Sequence, residues 1–168
     1  PAMVAATIEP QADLGIRQVF AKELRCRTAG NPRHPLSLDE SLAAFREEHA
    51  RWDNTRDGLV RIGMVIESNA HWVAAGMSTE ELIVRGYELA RSLGLKITNH
   101  VAGGTFSIEK GFLKYLRETG RTDVRYLMQL GILDPHWMLI HGIHVTELDI
   151  EHMARMGCHF VYTPTSES

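Results

Sequence analysis

The sequence predicts an α/β fold in which a parallel sheet of about five strands is covered by helices. Three observations carry this reading. Apolar runs rich in branched residues alternate with helical patterns, several helices open on a capping residue and close on glycine, and a strand follows that glycine at once. Strands that recur after an intervening helix run parallel, since a parallel neighbour needs a long crossover rather than a tight turn.

Residues 15–23 read as the first strand. The stretch from Ala29 to Pro35 is a loop. Ser37-Leu38-Asp39-Glu40 then forms a capping box, serine with glutamate three residues on, that opens a helix running to about Trp52. Residues 59–66 are the second strand. A polar loop follows, and Ser78 with Glu81 reads as another capping box. Leu82, Ile83, Gly86, Ala90 and Leu93 recur at helical spacing, and Gly94 supplies the left-handed conformation that ends a helix. Residues 95–100 start the third strand. Two short helices are expected over 109–118 and 122–130, stopped by Gly120 and Gly131. Trp137–His141 is the fourth strand; Thr146 caps a helix that Gly157 stops, and residues 158–163 are the fifth.

Composition narrows the function. A hydrophobic fraction of 44% and a charged fraction of 23% are those of an ordinary globular chain. With a net charge of −3 there is no basic surface for nucleic acid or anionic lipid. No apolar run approaches the roughly 20 residues of a membrane helix. Cys26 and Cys158 are too few and too far apart for a disulfide framework or a CxxC metal site, which points to a cytoplasmic setting, and Cys158 reads as a small core residue.

In parallel α/β proteins the chemistry collects where the carboxyl ends of the strands converge. Glu67, His100 and His141 each sit at such an end, and residues 163–167 follow the last strand. One reading has the imidazoles pointing into a ligand or metal site. The other makes each a rim histidine held by hydrogen bonds, and Glu67 an exposed or salt-bridged carboxylate. His144 and His152 read as solvated or surface residues; His34, His49, His136 and His159 have no partner at ligand spacing.

His100-Val101-Ala102 after a strand, and the segment LGILDPHWMLIHGIHVTELDIEHMARMGCHFVYTPTSES, resemble the amidohydrolase superfamily, in particular its cytosine, guanine and adenosine-analogue deaminases and triazine hydrolases. The shared pattern is a leucine-aspartate-proline turn, a strand ending in histidine, a helix ending in Gly-Cys, and a strand ending in proline with a polar tail. It covers residues 59–168 well and the first fifty loosely. The resemblance implies part of a (β/α)8 TIM-type barrel, its third to seventh strands, around one or two divalent metals, zinc or iron. His100 matches the histidine that ligates the metal. His141 matches one that contacts substrate or the hydrolytic water, or ligates a second metal in binuclear members. His71 falls near a substrate-contacting histidine. The metal would lower the pKa of a bound water to make the nucleophile.

The chain also departs from that pattern. The family's glutamate three after the histidine is Gly103, and Pro-x-Ser-Asn becomes Pro164-Thr165-Ser166-Glu167. No His-x-His pair and no eighth strand with its aspartate are found, so residues 1–168 read as one incomplete barrel domain, a fragment not expected to hold a metal tightly by itself. The expected function is metal-dependent hydrolysis of C–N bonds in a small cyclic or amide substrate. The alternative is a non-catalytic ligand-binding module or an inactive relative. A homo-oligomer through unpaired sheet edges fits either.

Overall fold

The computed structural model describes residues 2–102 and 113–163. Its five strands are β1 (Gln18–Glu23), β2 (Val60–Val65), β3 (Ile97–Val101), β4 (Trp137–His141) and β5 (His159–Val161). They pair in chain order and all in parallel, so Val65, Ile97, Leu139 and Val161 occupy four successive neighbours. The helices are α1 (Ala2–Asp13), α2 (Leu38–Trp52), α3 (Ala70–Ala74), α4 (Glu80–Ser92), α5 (Leu113–Thr119), α6 (Asp123–Gln129) and α7 (Glu147–Met156). Gly103 and residues 164–167 lie outside the described residues, as does the first part of the helix expected over 109–118.

One face of the sheet carries the core. Val60, Ile62 and Met64 of β2, Ile97 and Val101 of β3, and Trp137 and Leu139 of β4 are buried there with Leu82, Ile83 and Leu89 of α4. Each such aliphatic side chain contributes on the order of 2 kcal/mol by leaving water. Helix α4 comes unusually near: a Cβ on Gly86 would lie 2.7 Å from Leu24 and 2.9 Å from Ile66, so only glycine allows the approach. Trp137 stacks on Tyr87 at 6.3 Å and donates its indole N–H to Ile132 O at 2.7 Å. The opposite face is open, with Val19 67% exposed.

The capping chemistry explains most helix starts. Ser37 accepts from Glu40 N–H while the Glu40 carboxylate accepts from Ser37 N–H, and Thr146 and Asp149 repeat the box at α7. Thr122 caps α6. At α4 the expected box is shifted. Thr79, not Ser78, is the cap, accepting from Leu82 N–H, so Glu81 has no partner role there; Ser78 is buried. Gly94, Gly120, Gly131 and Gly157 all adopt positive φ past helix ends. The loop expected after β2 contains the short helix α3, capped by Asn69. Helix α1 has no counterpart in the sequence reading. Val4, Ile8 and Ala12 recur every four residues along it and are buried, but Pro10, which lacks an N–H, masks the helical pattern. The expected first strand accordingly shrinks: Gly15, at φ +74°, belongs to the turn after α1.

Cys158 is half-buried and packs against the core, its thiol donating to Asp134 O at 3.3 Å. No described helix is long and apolar enough to cross a membrane.

Candidate active site

Strand β3 alternates cleanly, and His100 falls on the open face while Asn99 beneath it is buried. The Asn99 amide accepts from Ser68 N–H at 3.0 Å and donates to Ser68 Oγ at 2.5 Å, fixing the chain just after β2. That places Glu67 beside His100. Glu67 is buried rather than exposed; its Oε1 bonds His100 Nδ1 and its Oε2 accepts from Asn69 Nδ2 at 2.7 Å.

On β4, alternation would send His141 with Trp137 and Leu139 toward the helices. Instead His141 adopts φ +78°, and its ring stacks on His100 with centroids 5.2 Å apart and planes at 23°. Its Nδ1 lies 2.6 Å from Thr163 Oγ1. A left-handed residue other than glycine costs about 1–2 kcal/mol. Ala102, one residue past β3, is also left-handed at φ +42°. Such conformations persist where the surroundings over-determine them.

His71 lies in the first turn of α3 and joins the same wall. A cavity of about 430 Å³ is lined by His71, Glu67, Asn69, His100 and His141, and also by Glu23, Arg25 and Trp72. The Arg25 guanidinium sits 4.7 Å over the Trp72 ring and pairs with Glu23 at 2.6 Å. The sequence reading missed these last three. A signal was present: Arg25 follows the end of β1 by two residues, as Glu67 follows the end of β2, and Glu23 and Val65 are register partners.

Asp123, also missed, lies under this mouth. Its two oxygens accept from Ala70 N–H and Ala102 N–H, both at 2.7 Å, with the residue 2% exposed. Burial pushes its carboxyl up to about 6, with the charges of Asp149 and Glu67 acting the same way and the two amides opposing.

The other histidines serve local structure. His136 pairs with Asp134, His49 with Asp53, His159 with Lys96 and His152 with Arg155, while His34 bonds its own loop. His144 is half-buried rather than solvated, and its N–H donates to Ala102 O. A larger apolar hollow of about 570 Å³ between β5 and α7 lies apart from the histidine cluster.

No family model matches the chain. It is 29% identical over 129 residues to a 5-methylthioadenosine/S-adenosylhomocysteine deaminase of Thermoanaerobacter pseudethanolicus, covering 77% of this chain and 28% of that protein. A deaminase of the same name from Nitratidesulfovibrio vulgaris is 28% identical over 160 residues, covering 92% and 33%. Among solved structures, a zinc-bound adenosine deaminase from Xanthomonas campestris matches with a TM-score of 0.74 at 20% identity, over 98% of this chain and 34% of that one. An atrazine chlorohydrolase variant from Arthrobacter aurescens, complexed with zinc and atraton, gives 0.78 at 17% identity, over 98% and 35%. These relatives and neighbours, deaminases and a chlorohydrolase, agree with the resemblance to the amidohydrolase superfamily read from the sequence. The five parallel strands and their helices match the fold of about a third of each of these solved chains, and the chain spans about a quarter to a third of the length of the curated relatives it matches.

For the metal of such barrels, the donors present fit in kind. Two imidazoles suit a divalent cation, and Glu67 on His100 Nδ1 is the carboxylate–histidine pairing that orients metal-ligating rings. They fall short in number: zinc sites take three or four protein ligands, and among the described residues no group of three His, Cys, Asp or Glu side chains is arranged to hold a metal.

Proposed function

We propose that this chain is part of a metal-dependent hydrolase that cleaves a C–N bond in a small cyclic or amide substrate, in the manner of the deaminases it is similar to. The observation that carries the reading is the convergence of His100 and His141, rings 5.2 Å apart, with Glu67 and His71 at the carboxyl ends of a parallel sheet. In this reading His100 is a ligand of a zinc or iron ion. His141 polarises the substrate, or ligates a second metal in a binuclear site, and His71 contacts the substrate. The remaining ligands would come from other strands of such a barrel, outside the described residues. When bound, the metal supplies Lewis-acid polarisation and an acidified water.

The chain's own residues prepare that site. The Glu67 carboxylate, bonded to His100 Nδ1, holds the ring with Nε2 turned from it toward a metal. Thr163 Oγ1 holds the His141 ring through its Nδ1. Arg25, stacked on Trp72 and paired with Glu23, adds an ion pair to the wall rather than a net charge. Hydrolysis adds water across the C–N carbon and expels the nitrogen, which needs a proton. The family's glutamate for that task is Gly103 here, and positioned acid–base help is worth about 10²–10⁴ in rate. The substrate is therefore proposed to carry a better leaving group than the amino group of a purine or cytosine, or to draw on another proton source. The proposed setting is the cytoplasm, in keeping with two free cysteines.

Metal analysis beside kinetics on the intact enzyme and three variants tests this. His100→Ala should lose the metal; His141→Ala should keep it and turn over more slowly if the site is mononuclear. Glu67→Gln should weaken metal affinity about 10- to 100-fold. Equal metal retention by both histidine variants would overturn the assignment. Ammonia release from nucleobases and adenosine analogues at ~10 s⁻¹ or faster would overturn the leaving-group proposal.

A further inference from the structure

Two of the strand-end loops meet on one buried side chain, and a third is bonded to one of them. Asp123 Oδ1 accepts from Ala70 N–H, in the segment that carries Glu67, Asn69 and His71. Asp123 Oδ2 accepts from Ala102 N–H, two residues past His100. Ala102 in turn accepts, through its C=O, the N–H of His144 in the loop after β4. Neither amide has a built-in partner. Ala70 is the first residue of α3, where helical N–H groups find no acceptor within the helix, and Ala102 lies beyond the end of β3. A neighbouring link continues the chain of contacts, as Thr122 Oγ1 donates to the buried Asp149 at 2.5 Å and so ties α6 to α7.

We propose that Asp123 is a positioning residue, a carboxylate clamp that holds the loops after β2 and β3 together and so sets where His71 and Glu67 stand relative to His100. Two features of the molecule point to this rather than to a plain helix-end carboxylate. Both oxygens are spent on backbone donors from other elements, neither on α6 itself. And Ala102 holds a left-handed φ of +42° at the point of attachment, a conformation that persists where the surrounding structure over-determines it. The clamp concerns the shape of the mouth and stands whichever reaction occurs there.

Amide hydrogen exchange on the protein gives the first test. Ala70 and Ala102 should be protected about 100-fold or more over an unstructured peptide. Exchange of both within about tenfold of the unstructured rate would overturn the clamp without any variant. The second test is Asp123→Asn, close in shape but with an N–H₂ facing one of the two donors. Both amides should lose about tenfold in protection, and the imidazole nitrogen resonances of His71 and His100 should move while those of His49 and His136 hold. A side chain that only stabilises the fold would lower the denaturation midpoint and leave those ring signals in place, and that result would overturn the positioning role. Failure of the hydrolase reading would show instead as unaltered metal content in His100→Ala of the intact enzyme, with the exchange pattern intact.

Discussion

The two ends of the sheet each carry a multiply bonded aspartate, and the two are set in opposite ways. Asp134, at the amino end, accepts from Tyr87 OH at 2.8 Å, His136 N–H at 2.8 Å and His136 Nδ1 at 3.0 Å. Burial alone would push its carboxyl up, but these bonds and the His136 charge outweigh it and hold it below the usual range. Asp123, at the carboxyl end, has two short bonds from amides, yet burial wins and its carboxyl rises to about 6. The difference is access to water. Asp134 keeps 22% of its side-chain surface exposed, whereas Asp123 is sealed beneath the mouth with Asp149 and Glu67 as like-charged neighbours. One end of the sheet uses its carboxylate for stability; the other tolerates a costly one to hold a shape.

The sharpest test of this contrast is the pH dependence of folding. Asp123 binds its proton more tightly in the folded chain, at about 6, than in the unfolded one. Its contribution to stability is therefore full below about pH 4 and is lost as pH rises through about 6, on the order of 3 kcal/mol. Denaturant unfolding of the protein and of Asp123→Asn from pH 4 to pH 7 should show the wild type losing ground to the variant by that amount. Parallel curves would remove the contrast.

Asp134→Ala should act at the other end and with the opposite sign in pH. It leaves Tyr87 OH and the His136 amide without their acceptor, costing about 1–3 kcal/mol near neutral pH. Because the Asp134 carboxyl is held low, that deficit should shrink as acid titrates it in the wild type. The His100 and His71 ring signals should not respond. Gly94→Ala, at the turn into the amino end of β3, is the smallest perturbation. Gly94 sits at φ +67° with nothing within 4 Å of where a Cβ would stand, so only backbone strain enters, about 1 kcal/mol in a thermal melt.

The same contrast marks what the sequence made legible. The order of strands and helices was readable because caps and glycines act within a turn or two of where they stand, as Ser37 with Glu40 and Thr146 with Asp149 do. His100 and His141 were readable as neighbours because parallel strands deliver their ends to one place. Asp123 was not. As the first residue of α6 it reads as an ordinary acidic helix start, and its partners are 53 and 21 residues away. Nor do the side chains of Ala102 and His141 announce a left-handed backbone, which is imposed by the loops around them. Arg25 was missed for a different reason: its pairing with Trp72 joins the ends of elements 47 positions apart, and neither residue is chemically conspicuous alone.

The left-handed turn at His141 changes how many groups one strand can deliver. A regular strand gives the mouth every second side chain, so consecutive residues never serve the same side. By breaking the pleat at its last position, β4 places His141 beside His100 although Ile140, the residue before it, is the one in register with His100. Two adjacent residues of β4, Ile140 and His141, thus stand on the same side of the sheet, and His141 reaches the cavity wall. A redesign of this rim would treat them as a linked pair, since restoring ordinary extended geometry at residue 141 would withdraw the ring whatever amino acid stood there.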